Sequence, residues 1–176
     1  MSKSEKVLLI GMMGAGKTTT GHLLSDRLKW PYLDSDEEVE KSTGRTVPEI
    51  WKEDGEPAFR REEARVLDEA CGSPGPAVIA VAGGAVLDPE NRALIRRAGL
   101  VVWLRADVMT LAARVGSGSG RPLLDAGPAA ALERLLAERS PVYAELADLV
   151  FDVDRLSPPQ VVGRIVEAIE EQGPIG

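Results

Sequence analysis

The run Gly11-Met12-Met13-Gly14-Ala15-Gly16-Lys17-Thr18 constrains this chain more than any other feature. It fits the pattern G-x-x-x-x-G-K-[ST] at every fixed position, and its flanks supply the context that the pattern needs. Before it, Val7-Leu8-Leu9-Ile10 reads as a short buried strand; after it, Thr18 to Leu28 reads as a helix. A strand feeding a glycine-rich turn and then a helix gathers backbone N–H groups at the helix start, where they can hold phosphate. Lys17 can then reach the β- and γ-phosphates, and Thr18 can offer its hydroxyl to Mg²⁺. Gly14, Ala15, Gly16, Lys17, Thr18 and Thr19 are the expected nucleotide-binding residues, with a nucleoside triphosphate as ligand.

Strand-like and helix-like segments alternate along the rest of the chain. Pro31 to Asp34, Ala77 to Ala82, Leu100 to Leu104 and Leu149 to Asp152 are short, mostly unalternating apolar runs. Such runs suit parallel strands covered on both faces. Asp88-Pro89 and Ser157-Pro158 each supply a helix cap followed by proline, and Gly99 closes the first of these helices. The order implies an α/β fold with a parallel sheet. With no repeat and no linker, residues 1–176 read as one domain.

Two segments break the alternation. The helical stretch from Glu37 to Ala70 is interrupted at Gly44, Pro48, Gly55 and Pro57 and is too long for a simple crossover. It reads as a helical insert over about residues 35–70. The Gly/Ser-rich run from Gly116 to Asp125 is expected to be a mobile lid, since phosphoryl transfer must exclude water.

Charge and composition narrow the partners. A formal net charge of −7 argues against nucleic acid, which needs a basic surface, but leaves room for a small anionic substrate. The polar start Met1 to Lys6 is no signal peptide, and no apolar run approaches the roughly 20 residues of a membrane span. The single cysteine, Cys71, cannot form an internal disulfide and fits a reducing cytoplasm. The only histidine, His22, is expected on the surface of the first helix or in packing.

Several residues suit phosphoryl-transfer chemistry. Asp34-Ser35-Asp36 follows the second strand at its carboxyl end, where ligands bind in open α/β sheets. One carboxylate there can hold the water shell of Mg²⁺, and the other can orient or deprotonate an acceptor hydroxyl. Ser35 or Asp36 could also serve as a helix cap. Arg139 falls on the apolar stripe of Leu132, Leu135, Leu136, Val142, Tyr143 and Leu146. Arg60 shares a stripe with Ala64, Leu67 and Cys71, whereas Arg61 aligns with Arg65 and Asp68 on a solvated face. Inward arginines are expensive without an anion, so Arg60 and Arg139 are expected to grip a carboxylate or phosphate. Arg121, in the lid, can place positive charge on the transferring phosphoryl group. Gly83-Gly84 ends the third strand, and is either a close approach to substrate or a plain tight turn.

Taken together, these residues resemble the shikimate kinase family. The likeness runs through the phosphate loop, Tyr32 to Asp36, Thr43-Gly44-Arg45, Glu56 to Glu63, Gly83 to Val86, Arg121 to Leu124 and Arg139 to Tyr143. It implies a five-stranded parallel sheet of the nucleoside monophosphate kinase type, with a substrate-binding helical insert and a lid. It implies transfer of the ATP γ-phosphoryl group to the 3-hydroxyl of shikimate by a cytoplasmic monomer using Mg²⁺. The resemblance gives Thr18 to the metal, Asp34 to its water shell, and Lys17 and Arg121 to the phosphates. Asp36 would bind substrate hydroxyls and serve as base; Arg60, Arg139, Gly83 and Gly84 would surround the carboxylate; Arg114 and Arg155 would flank adenine. One departure stands out: Ala82 occupies the place of the first of three usual glycines, and is expected to be extended strand, where a methyl is harmless. The competing readings are another small-molecule kinase of this scaffold, such as a gluconate kinase, and a catalytically silent nucleotide-binding regulator.

Overall fold

Five parallel strands form one sheet in the order β2-β3-β1-β4-β5 in the computed structural model, which describes residues 5–116 and 128–172. They are β1 (Lys6–Ile10), β2 (Tyr32–Asp34), β3 (Ala77–Ala80), β4 (Leu100–Arg105) and β5 (Leu149–Asp152). Val7 of β1 lies opposite Val78 of β3 on one side and Leu100 of β4 on the other. β1 and β3 are wholly buried and β4 nearly so, which explains their unbroken apolar runs. The edge strands β2 and β5 are only half-buried.

Eight helices complete the described fold: α1 (Lys17–Leu28), α2 (Ser35–Thr43), α3 (Val47–Asp54), α4 (Glu56–Gly72), α5 (Pro89–Ala98), α6 (Val108–Val115), α7 (Pro128–Leu146) and α8 (Pro158–Glu171). Their ends follow the sequence signals. Asp88 caps α5 by accepting from the Glu90 amide, and Ser157 caps α8 by accepting from that of Gln160. Leu8, Leu9 and Ile10, Val78 and Ile79, and Val101 and Val102 form the centre of the main core.

Helices α2, α3 and α4 are the expected insert, broken where the sequence breaks. Gly44 ends α2 in the left-handed conformation, Thr46 opens α3 with a capping box ahead of Pro48, and Gly55 separates α3 from α4. The insert has its own core of Val39, Ile50, Phe59 and Val66, with Val47 and Trp51 packed on it. Each such buried side chain contributes about 1.5–3 kcal/mol, so the insert holds its shape beside the sheet.

Several boundaries differ from expectation by one or two residues: β1, α1 and β4 each gain one residue, at Lys6, Lys17 and Arg105. β2 begins at Tyr32, and α4 runs on to Gly72. β3 ends at Ala80: the Val81 amide still donates to Leu9 O at 2.9 Å, but the Ala82 amide turns to Ser35 Oγ at 2.8 Å. Ala82 is therefore not strand, yet Lys29 is the only non-glycine with positive φ among the described residues, so its methyl carries no such strain. Arg121 and most of the expected lid lie outside the described residues.

Candidate active site

At the carboxyl ends of β1, β2 and β3, the phosphate loop, the start of α2 and the Gly83-Gly84 turn meet the insert around a cleft of about 490 Å³. The loop takes its shape from glycines that L-residues could not replace. Gly14 and Gly16 have φ of 83° and 91°, and a Cβ on Gly11 would lie 2.6 Å from Leu104 O. Lys17 Nζ donates to the carbonyls of Gly11 at 2.7 Å and Met12 at 3.1 Å, so the ammonium lies along its own loop. Thr18 and Thr19 stand exposed on the first turn of α1.

Asp34, rather than Ser35 or Asp36, caps α2. Its Oδ1 accepts from the amides of Asp36 at 2.9 Å and Glu37 at 3.3 Å. Its Oδ2 accepts from the Tyr32 hydroxyl at 3.4 Å. Burial and the Asp34 charge push the Tyr32 phenol above its usual range. Thr18 and Asp34 both line the cleft. Two hard oxygen donors fit a magnesium ion, which keeps most of its waters and takes few protein ligands.

Asp36 turns into the cleft and is freed from capping. Burial, then the charge of Asp34, raises its pKa to about 6, against the opposing pull of Lys17. A carboxylate so placed can accept a proton near neutral pH. Arg60 also lines the cleft while Arg61 is exposed, as the two stripes require. Its Nη1 donates to both oxygens of Glu63 at 3.0 and 3.1 Å, and its guanidinium lies 5.3 Å from the Phe59 ring centroid. Glu63, only 1% exposed, was not singled out from the sequence. Burial outweighs its pairing with Arg60 and raises its pKa to about 7. Its signal was helical spacing: Glu63 follows Phe59 by four residues and precedes Val66 by three, inside the insert's apolar stripe.

Arg139 is 2% exposed, and its Nε and Nη1 are buried with no hydrogen-bond partner among the described residues. Gly83 and Gly84 do form a turn, closed by the Ala85 amide donating to Ala82 O at 3.0 Å, but neither has positive φ, so the turn itself does not require glycine. Space does. A Cβ on Gly83 would meet Arg139 Nη1 at 2.9 Å, and one on Gly84 would meet Arg60 Nη2 at 2.5 Å. The glycine pair lets both guanidinium groups lie against one stretch of backbone.

Of the residues expected from sequence, Gly14, Gly16, Lys17, Thr18, Thr19, Asp34, Asp36, Arg60, Gly83, Gly84, Arg114 and Arg139 line this one cleft. Arg114, in the last turn of α6, donates to Gly14 O at 3.1 Å. A neighbouring depression of about 280 Å³ is lined by Ala15, Thr20, Arg114, Val153 and Leu156 among others. Arg155 is exposed beside that depression and does not line it; the apolar neighbours do. No helix among the described residues is long and apolar enough to cross a membrane.

The shikimate kinase family model matches residues 13–170. A shikimate kinase of Thioalkalivibrio sulfidiphilus is 45% identical over 94% of this chain and 87% of its own. The solved shikimate kinase from Acinetobacter baumannii in complex with shikimate superposes with a TM-score of 0.91 at 35% identity, covering 98% of this chain and 96% of that one. A gluconokinase from Sinorhizobium meliloti, at TM-score 0.60 and 18% identity over 99% of this chain and all of its own, shares the fold alone. A family match over residues 13–170, with a relative 45% identical over nearly the whole chain, makes this chain a member of the shikimate kinase family.

Proposed function

We propose that this chain transfers the γ-phosphoryl group of ATP to the 3-hydroxyl of shikimate, giving shikimate 3-phosphate and ADP for aromatic amino-acid biosynthesis. The observation that carries the reading is Arg139. A buried guanidinium with two unpartnered nitrogens is costly in the free protein, and a carboxylate ligand removes that cost by charge-assisted hydrogen bonds. Shikimate brings such a carboxylate, and gluconate does not bring the same ring-fixed geometry. Arg60, preset by Glu63 and the Phe59 ring, supplies a second cation at the same turn.

With the carboxylate at Arg139 and Arg60, the acceptor hydroxyl lies between Asp36 and the phosphate loop. The hydroxyl oxygen bonds to the γ-phosphorus as the bond to the β,γ-bridging oxygen breaks, and Asp36 takes the hydroxyl proton. Lys17 leaves the carbonyls of its own loop to meet the phosphates. Thr18, with Asp34 through water, would hold Mg²⁺, which would supply charge neutralisation at the phosphates. Arg121 completes the charge on the transferring group from the lid, and Arg114 with Arg155 sits beside the adenine. The enzyme acts as a monomer in the cytoplasm, consistent with one free, half-buried cysteine.

Coupled ADP release with Mg-ATP, comparing shikimate, gluconate and no acceptor, tests this reading. Turnover of at least about 1 s⁻¹ with shikimate alone is expected. Turnover with gluconate and none with shikimate overturns the acceptor assignment.

A further inference from the structure

Tyr143 lies wholly buried on α7, one helical turn after Arg139. Its hydroxyl donates to Gly83 O at 2.7 Å and sits 4.0 Å from Met12 Sδ of the phosphate loop. The positive charge of Arg139 opposes the burial that pushes the phenol up to about 12. The ring is held from behind by Trp103 of β4, with centroids 5.6 Å apart. Around Gly83 the fit is close: a Cβ there would lie 2.9 Å from Arg139 Nη1, 3.2 Å from Gly11 O and 3.3 Å from the Tyr143 hydroxyl.

The peptide plane turns this contact into a direction. The Gly83 carbonyl and the Gly84 N–H belong to one peptide unit, which is trans, so they point opposite ways. Holding the carbonyl toward Tyr143 aims the Gly84 N–H away from α7, on a residue that lines the cleft. Among the described residues that amide meets no protein acceptor.

We infer that Tyr143 is a positioning residue for the phosphoryl acceptor: its hydroxyl fixes the Gly83-Gly84 peptide plane against which the Arg139 guanidinium lies, and so sets how they meet the substrate carboxylate. The inference rests on the proposed acceptor. Tyr143 itself touches no substrate and acts through Gly83, Gly84 and Arg139. The same hydroxyl lies against Met12, so the acceptor side of the cleft is registered on the phosphate loop.

Tyr143→Phe removes one oxygen and keeps the ring. It should raise the KM for shikimate about tenfold, as expected for a buried carbonyl left unpaired, with the KM for ATP unchanged. Trp103→Phe, which loosens the same cluster without touching the hydroxyl, should lower Tm and leave the shikimate KM in place. Gly83→Ala is the second arm: it keeps the hydroxyl, wedges a methyl against it, and should also raise the shikimate KM. A shikimate KM in Tyr143→Phe within about twofold of wild type overturns the inference, as does an equal rise in Trp103→Phe. Should Tyr143→Phe not fold, an unchanged shikimate KM in Gly83→Ala overturns it. Wild-type protein silent with shikimate overturns the proposed function and this inference with it; active wild type with unmoved variants overturns the inference alone.

Discussion

Gly84 and Arg60 claim the same space: a Cβ on Gly84 would lie 2.5 Å from Arg60 Nη2, 2.7 Å from Nη1 and 2.9 Å from Cζ. The glycine is there because the guanidinium is there. Arg60 reaches this position from α4, held by Glu63 and stacked near Phe59, so backbone and cation form one wall of the cleft. Gly84→Ala should therefore push aside the tip of a flexible side chain rather than break the core. We expect stability to change by less than about 1 kcal/mol while the shikimate KM rises about tenfold or more. Thermal melts and acceptor kinetics on one preparation check both halves.

Arg139 trades stability for binding. Its buried Nε and Nη1 have no partner among the described residues, so the free protein carries an uncompensated desolvation cost. Arg139→Met fills a similar volume without the charge. It should raise Tm by about 2–4 °C for each kcal/mol recovered. The same change should raise the shikimate KM about 100-fold or more, through loss of charge-assisted hydrogen bonds. A variant that is less stable and binds shikimate normally contradicts both expectations.

Asp36 predicts a pH dependence of definite sign. Its pKa rises from 3.8 to about 6 on folding, first through burial and then through the Asp34 charge. The native state thus holds its proton longer than the unfolded chain. That contribution to stability is present below pH 4 and is lost as pH rises through about 6. Asp36→Asn should stabilise the free protein by about 2 kcal/mol at pH 8 and by far less at pH 4.5, since two pK units bound the effect near 3. Glu63, with its pKa near 7, keeps part of the pH dependence in that variant. In the wild type, kcat/KM should rise with pH through about 6, as the ionised base forms. Melts at the two pH values, with a pH–rate profile, measure this.

Arg121 is expected to act on the transition state rather than on acceptor binding. Arg121→Ala should lower kcat about 10³-fold, the lower range for a lost arginine finger, with little change in shikimate KM. Steady-state kinetics with both substrates varied separate the two effects.

Much of this arrangement was legible in the chain because its signals are local. The phosphate loop, the caps at Asp88 and Ser157, and the breaks at Gly44 and Gly55 each act over a few residues, and each lies where its chemistry requires. The inward arginines were legible through helical spacing. What the spacing could not supply was the partner across the fold. That Gly83 makes room for Arg139 and Gly84 for Arg60, residues from two helices distant in sequence, depends on packing between elements. The cap of α2 is Asp34, ahead of the expected Ser35 or Asp36, because β2 runs directly into the helix and leaves Asp34 as the last extended residue. Glu63 escaped notice because an acid in a charged helix looks solvated until the insert's own core is seen to close over it.

The most direct test compares kcat/KM for shikimate and for its methyl ester, in the wild type and in Arg139→Met. The ester keeps the ring and hydroxyls but removes the negative charge that Arg139 is proposed to meet. The wild type should prefer shikimate by about 100-fold or more, and Arg139→Met should narrow that preference to within about tenfold. A wild type that phosphorylates both equally, or an Arg139→Met variant that keeps the full preference, contradicts the assignment of this cleft.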